Sequence, residues 1–349
     1  MKTIFQIICF FSIVFSLFSN PTDPNVIAGN ASVYEKGKGV LNISASDKSI
    51  INWQDFSIKA GEITKFLQPS ETASVLNRVV ENNISNILGN LEANGHIYLI
   101  NPSGIIIGQD AQINTASFTA STLDVLDEDF LKNNQMVFTS DAKGTIINHG
   151  QVQANSGNVT LLAYQIENLG TIQAKNGKAS LVCGQEIFLQ LDENNLLIRP
   201  TKGATQEDEV GILNKGTIEA IKTELKTGTN PYAYAIQNEG KIHSFGIEKQ
   251  NGEVLIIAEE GYSNIKGEII AKNENETGGK IQILGDKVGL FENTKIDASG
   301  ENGGGKVLIG GDFQGKNPTI PNSRAIYINE GVEIYADAIA QGNGGKIIC

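Results

Sequence analysis

A seven-residue pattern, Asn-x-Gly-x-(Ile/Val)-x-(Ala/Ser), recurs through the middle of the chain and constrains its fold more than any other feature. The copies are Asn148–Ala154, Asn168–Ala174, Asn214–Ala220 and Asn238–Ser244. A period near 20 residues, with short strands separated by Gly and Asn turns, is typical of a parallel β-solenoid. We expect the inward Ile, Val and Leu of each rung to stack on the next rung at about 4.8 Å spacing. The Asn and Gly at the corners are expected to use left-handed backbone, which both residue types tolerate.

A second repeat, Gly-Gly-Lys followed by an apolar strand, continues the pattern towards the C-terminus. Its copies are Gly278–Ile283, Gly304–Ile309 and Gly344–Ile348. Residues 192–209 and 314–323 interrupt the rhythm and are predicted to be loops or hairpins that protrude from the solenoid. The fold prediction is therefore all-β, a right-handed parallel β-helix. Residues 20–50 should form a β cap over its first rung, with Trp53, Phe56 and Phe66 sealing that end.

Two stretches could be helical. For Ser70–Leu88 the apolar spacing is mixed, and we favour two β rungs over a helix. For Leu123–Asn133 we predict a helix, because the stretch is acidic at its start and basic at its end, which suits the helix dipole. Leu123, Leu126 and Phe130 would form its apolar face. The acidic run is interpreted as a solvated face rather than a metal site.

The N-terminus and the overall charge restrict location and partners. Met1-Lys2 followed by the apolar run Ile4–Phe18 is typical of a secretory signal peptide, cleaved after Ser19, with an uncleaved anchor as the alternative. Only Cys183 and Cys349 remain after cleavage, so no disulfide framework is expected. The net charge of −12 argues against nucleic acid and anionic lipid as partners.

The stretch Asn94–Thr122 has the most distinctive sequence, NGHIYLINPSGIIIGQDAQINTASFTAST. Asn101-Pro102-Ser103-Gly104 carries the residue preferences of a type I turn between two short strands. Together with Asn77-Arg78-Val79 upstream and the FTASTLD run downstream, this stretch resembles the secretion domain of two-partner-secretion exoproteins. That family includes the filamentous haemagglutinins and, with greater similarity, the high-molecular-weight adhesins. Ser103 departs from the Asn that the family usually places in the turn.

The resemblance implies a function. It predicts a secreted or surface-exposed adhesin-type exoprotein of a Gram-negative-type bacterium, whose N-terminal domain directs export through a partner outer-membrane transporter and nucleates β-helix folding. The transporter's periplasmic domains would recognise the N-terminal region, and a host-cell surface receptor or glycan is left open as a second partner. The implied recognition and folding residues are Asn77, Arg78, Val79, Asn101, Pro102, Ser103, Gly104 and Ile105. The expected domains are a signal peptide at 1–19, a secretion domain at 20–140 and β-helical repeats at 141–349.

The alternative function is a polysaccharide-acting β-helix enzyme. Such enzymes need carboxylates or basic groups on neighbouring rungs, and the repeats place no carboxylate pair at one rung position. The run Gly300–Lys306 resembles a phosphate-binding loop, but Val307 stands where Ser or Thr would hold Mg²⁺. No catalytic residue, metal site or cofactor is predicted. The chain breaks off within a Gly-Gly-Lys repeat at Cys349, which predicts either a truncated exoprotein or a short form whose Cys349 pairs with a second chain.

Overall fold

The computed structural model describes residues 20–35, 37, 39–132, 135–192, 195–203, 210–228, 235–246, 251–273 and 276–349. The expected signal peptide and its cleavage site at Ser19 lie outside these residues. The N-terminal strands are β1 Asn25–Ala28, β2 Ala31–Glu35, β3 Val40–Ala45, β4 Ser49–Trp53, β5 Ile63–Leu67, β6 Ser74–Val79, β7 Ser85–Ile87, β8 Asn90–Ala93, β9 His96–Ile100, β10 Ile105–Ile107, β11 Gln112–Thr115 and β12 Ser117–Ser121.

The middle of the chain contains β13 Asp124–Val125, α1 Asp127–Lys132, β14 Gln135–Thr139, β15 Thr145–Asn148, β16 Gln151–Ala154, β17 Val159–Ala163, β18 Gln165–Asn168, β19 Thr171–Cys183, β20 Glu186–Asp192, β21 Asn195–Lys202, β22 Ile212–Asn214 and β23 Thr217–Thr227. The last part contains β24 Ile236–Asn238, β25 Lys241–Ser244, β26 Glu253–Ile265, β27 Glu268–Ile270, β28 Lys280–Leu290, β29 Lys295–Asp297, β30 Lys306–Ile309, a 3₁₀ turn at Phe313–Gly315, β31 Ala325–Ile328, β32 Glu333–Tyr335 and β33 Lys346–Ile348.

These strands form a parallel β-helix with three faces. Face A begins with β7, β10 and β15, face B with β3, β5 and β8, and face C with β4, β6 and β9. Between the first and last rungs, each strand of a face pairs in parallel with the strand one rung earlier and one rung later. The strands β19, β23, β26 and β28 are long because each turns a corner and contributes to two faces.

The predicted β cap is confirmed. The strand β1 runs antiparallel to β4, and β2 runs antiparallel to β3, so both cover the first rung. Trp53, Phe56 and Phe66 are fully buried beneath this end, with the first two rings edge to face at 5.6 Å. A cap of this kind occupies backbone groups that the first parallel strands would otherwise leave unpaired.

The predicted stacking of inward side chains is also confirmed. On face A an isoleucine column passes from rung to rung through Ile105, Ile146, Ile166, Ile212 and Ile236. All five side chains are fully buried. The two strands β6 and β7 show that Ser70–Leu88 forms β rungs, as the sequence favoured.

The Asn and Gly corners differ from the prediction, because their Asn and Gly residues do not have the left-handed backbone expected of them. The four Asn instead form a buried ladder of amide hydrogen bonds, from Asn148 to Asn168 (2.8 Å), to Asn214 (2.7 Å) and to Asn238 (2.7 Å). Glycine is needed for space: a Cβ on Gly170 would lie 2.2 Å from the carbonyl oxygen of the glycine one rung earlier. Close packing of successive rungs, rather than backbone conformation, selects the residue type here.

A separate antiparallel sheet, in the order β13-β14-β20-β21, packs on the outside of face C. A hairpin outside the β-helix was predicted at 192–209; the hairpin of β20 and β21 begins earlier, at Glu186, and residues 193–194 and 204–209 lie outside the described part. The sheet covers outward apolar side chains of face C, including Leu76, Tyr98, Leu162 and Val182. This second core was not predicted from the sequence.

A buried ionic cluster fastens the hairpin to the β-helix. The Glu224 carboxylate lies 3.0 Å from the Lys178 ammonium and 2.8 Å from that of Lys226. The same lysines donate to hairpin carbonyls, Lys178 to Leu196 and Lys226 to Ile198. Burial opposes the charge on Glu224, but Lys226 and Lys178, together with Lys222 at 3.4 Å, outweigh it and lower the pKa of the carboxyl group.

The predicted helix is shorter than expected. Residues Asp124–Val125 form the strand β13, which pairs with β14, so α1 begins only at Asp127. Phe130 is fully buried under the helix, whereas Leu126, expected on the same apolar face, is 63% exposed. The predicted end of the helix at Asn133 lies outside the described residues. The 314–323 segment is a loop between β30 and β31, as predicted.

Candidate recognition and nucleation site

The first motif, Asn77-Arg78-Val79, lies at the end of β6, where side chains alternate between the core and the outside. Asn77 is fully buried: its Oδ1 accepts a hydrogen bond from Trp53 Nε1 at 3.0 Å, and its Nδ2 donates to the Tyr98 carbonyl at 3.2 Å. Trp53, Asn77 and Tyr98 belong to three successive strands of face C. One amide therefore joins the first three rungs. Val79 is 3% exposed and belongs to the same core.

Arg78 points outwards and holds the outer sheet. Its guanidinium donates to Asp124 at 2.9 Å, to Asp127 at 2.7 Å and to the Val125 carbonyl at 2.7 Å. Partial burial opposes the charge, but Asp124 and Asp127 raise the pKa of Arg78 above its usual value. The sequence predicts a solvated face for this acidic run. Asp124 and Asp127 instead bind Arg78, a pairing over 46 and 49 residues for which the sequence holds no local signal.

The second motif forms the predicted turn one rung later. Gly104 N donates to the Asn101 carbonyl at 3.1 Å, the bond between first and fourth residues of a β-turn. Ser103 N donates to Asn101 Oδ1 at 3.0 Å, so the Asn side chain closes the turn from within. Gly104 has φ +124°, a conformation that side-chain-bearing residues rarely adopt. Pro102 and Ser103 remain partly exposed at the tip.

Asn101 connects the turn to the rungs on both sides. Its Nδ2 donates to the Asn83 carbonyl and to Ser85 Oγ, both at 2.9 Å, and its backbone N donates to the Ser121 carbonyl. Asn83 and Ser85 belong to the rung before the turn, and Ser121 to the rung after it. Ile105, the next buried residue, starts the isoleucine column of face A. Asn83 and Ser85 are hydrogen-bond partners of Asn101 that the sequence analysis did not identify.

The structure thus brings the two motifs together at one edge of the β-helix. The register places Arg78 opposite Ile100, so the first motif ends beside the start of the turn. Five of the eight predicted residues are buried: Asn77, Val79, Asn101, Gly104 and Ile105. Arg78, Pro102 and Ser103 are partly exposed. The buried set includes two amides, Asn77 and Asn101, that join neighbouring rungs by hydrogen bonds.

A partly exposed histidine lies close to this region on face C. The Nε2 of His96 is 3.0 Å from Thr119 Oγ1, and its ring stacks on Tyr98 with 4.1 Å between centroids. Desolvation of the ring, followed by the nearby charge of Lys48, lowers the pKa of His96 to about 3. The Lys48 ammonium donates to the Phe130 carbonyl of α1. The imidazole is therefore neutral in the folded protein at physiological pH.

Within the described ranges, no group of three or more His, Cys, Asp or Glu side chains is placed to hold a metal ion. No helix in that part of the chain is both long enough and apolar enough to cross a membrane.

Comparison with known proteins gives concordant results. The family described as the TPS secretion domain matches residues 19–301. The solved HMW1 secretion domain from Haemophilus influenzae is 34% identical, with a TM-score of 0.77, and the match covers 91% of this chain and 84% of that one.

Two curated relatives from H. influenzae carry the name heme/hemopexin-binding protein. One, from strain ATCC 51907, is 30% identical over 310 residues, which covers 84% of this chain; the other is 31% identical over 305 residues, which covers 78%. The chain spans only 33% and 32% of the length of these relatives.

Proposed function

The chain belongs to the TPS secretion domain family, and on that premise we propose that its two motifs direct export through the partner outer-membrane transporter and nucleate folding of the β-helix. The family implies such a transporter, and its exoproteins are secreted or surface-associated in Gram-negative bacteria. The observation that carries the proposal is the position of Asn77 and Asn101. Each fastens consecutive rungs through buried side-chain hydrogen bonds at the N-terminal end of the solenoid.

Burial of the motif residues determines which of their two proposed roles comes first, recognition by the transporter or nucleation of folding. A transporter can contact the side chains of Asn77, Asn101 and Ile105 only while the chain is unfolded, because folding removes them from solvent. Recognition through these residues therefore precedes folding. Once the first rungs close, the same groups bond to Trp53 and Ser85, and the exported chain no longer offers them to the transporter.

For the whole secreted protein we propose an adhesin-type exoprotein, with a host-cell receptor or glycan as its target. The relatives' names attach heme or hemopexin binding to those proteins, of which this chain spans about a third. The relatives it matches are exoproteins rather than known enzymes. None of the comparisons supports the polysaccharide-enzyme alternative.

The proposal is tested by replacing Asn77 and, separately, Asn101 with Ala in cells that carry the cognate transporter. We expect release into the medium to fall strongly for both variants. Asn155→Ala is the matched control, since Asn155 also makes two side-chain hydrogen bonds but is exposed. Refolding of each purified variant separates the two roles: lost release with normal refolding indicates recognition, and lost refolding indicates nucleation. Normal release of both variants contradicts the proposal.

A further inference from the structure

The segment between the two motifs exposes a row of large apolar side chains. Val80 is 52% exposed, Ile84 is 44% exposed and Leu88 is 42% exposed. They lie on either side of β7, the first strand of face A, and we call them the apolar row. Ile84 lies beside the second motif, since its Cγ1 would be 3.8 Å from a Cβ placed on Gly104. An isolated exposed apolar side chain is ordinary on a protein surface, but three in nine residues beside a functional motif indicate a contact surface.

An acidic cleft adjoins the apolar row. Its volume is about 640 Å³, and its walls include Asp23, Asp55 and Glu81. Glu81, Asn82 and Asn83 line it and lie in sequence between Val80 and Ile84, so the cleft and the row are continuous. The walls contain three carboxylates and neither Lys nor Arg among the described residues. None of the ion pairs found in the described part of the chain neutralises these carboxylates.

The apolar row is accessible before and after folding, in contrast to the buried motif residues, whereas the cleft exists only once its three segments have come together. In an extended chain, Val80, Ile84 and Leu88 project to the same side, since side chains alternate along a strand and all three positions are even-numbered. In the folded protein the same three side chains remain at the surface. A partner that binds this row can therefore engage the chain during export and keep contact while the first rungs form.

Resting on the proposed function, we propose that the apolar row and the acidic cleft form one docking surface for a periplasmic domain of the partner transporter. The occupant is a protein surface that carries apolar side chains flanked by Lys or Arg. The acidic cleft argues for this chemistry, because opposite charge at the rim steers association and disfavours wrong partners. Asn77 and Asn101 are open to the transporter only before folding, and the row between them provides a contact that remains after folding.

The first test replaces the apolar row by Val80→Ser, Ile84→Ser and Leu88→Ser together. Because all three side chains are exposed, thermal unfolding of the refolded full chain should change little. Its affinity for the purified periplasmic domain should fall about ten-fold or more, as expected for loss of an apolar anchor. Release from cells should fall in parallel. The matched control replaces three exposed leucines elsewhere: Leu126, Leu169 and Leu197.

The second test removes the charge of the cleft by Asp23→Asn, Asp55→Asn and Glu81→Gln. We expect weaker binding at low salt and a smaller loss of affinity on adding salt than for the wild type. If the salt dependence of binding is unchanged, the cleft is not part of the docking surface.

The outcomes separate this inference from the proposed function. If the apolar-row variant binds and is released normally while Asn101→Ala is retained, the docking surface is wrong and the proposed function stands. An equal loss in the leucine control also refutes the docking surface. If the wild type self-associates and the row variant is a normally released monomer, the occupant is a second copy and the inference fails.

Discussion

Replacing one asparagine of the buried ladder by alanine should lower the free energy of unfolding by far more than the small change in side-chain volume suggests. Asn168 accepts a hydrogen bond from Asn148 at 2.8 Å and donates one to Asn214 at 2.7 Å, and all three side chains are fully buried. Asn168→Ala removes both bonds, at about 1 kcal/mol each, and takes away the donor of the buried Asn214 Oδ1, at about 1 to 3 kcal/mol for an unpaired buried group. Asn148 Nδ2 keeps a longer hydrogen bond to the Thr171 carbonyl at 3.4 Å. Since neighbouring terms overlap, we expect a loss of about 3 to 5 kcal/mol in the free energy of unfolding.

The measurement is urea unfolding followed by far-UV circular dichroism and by fluorescence of Trp53, the single tryptophan of the chain. Circular dichroism reports all rungs, whereas Trp53 reports the capped N-terminal end. Rungs of a solenoid interact chiefly with their neighbours, so the dichroism transition should shift more than the fluorescence transition. Asn155→Ala is the control, because its two hydrogen bonds are solvent-exposed, and it should cost about 0.5 kcal/mol or less. Equal losses for Asn168→Ala and Asn155→Ala would show that the ladder does not stabilise the fold.

Two further predictions concern the outer sheet and the histidine of face C. Arg78→Lys keeps the charge but can replace only part of the three-bond guanidinium contact, so limited proteolysis should cut between β13 and β14 faster than in the wild type. Lys65→Ala, which removes an exposed ion pair elsewhere, should leave the rate unchanged, and the same rate in both variants would show that Arg78 does not hold the outer sheet. The pKa of His96 is about 3 in the folded protein, below its unfolded value of about 6.5. Between these values the unfolded chain binds a proton that the folded protein does not, so the free energy of unfolding decreases as pH falls from about 6.5 towards 3. Unfolding of His96→Asn across that range should depend less on pH than that of the wild type, and parallel curves would contradict the assignment.

The sequence was sufficient for the rungs and the turn but not for the outer sheet. Rungs follow from a repeated pattern, and the turn follows from the local preferences of Asn101 and Gly104. The sheet on face C depends on contacts such as Arg78 with Asp124, between residues far apart in the chain. One signal was available: strands such as β9 and β17 are apolar at consecutive positions, as expected when both faces of a strand are buried.

The corner residues show how local propensity can mislead. Asn and Gly are the residues that tolerate left-handed backbone, so the pattern favoured that conformation. In a solenoid, equivalent positions of successive rungs are in contact. Each residue must therefore fit its neighbour one rung away, and the preferences of a single rung do not contain this condition. Asn148 and Gly170 are selected by their neighbours one rung away, through an amide bond and through lack of space for a side chain.

The asparagine ladder also shows where a foreign peptide can be inserted without disturbing the rungs. Asn148 and Asn168 are 20 residues apart and Asn168 and Asn214 are 46 apart, yet one amide hydrogen bond joins each pair. The longer interval includes β20 and β21, which pack on the outside without altering the register of β18 with β22. The stacking is thus indifferent to how many residues separate two ladder positions. A display scaffold built on this protein could therefore carry a new peptide inserted between β20 and β21, while the rungs beneath keep their alignment.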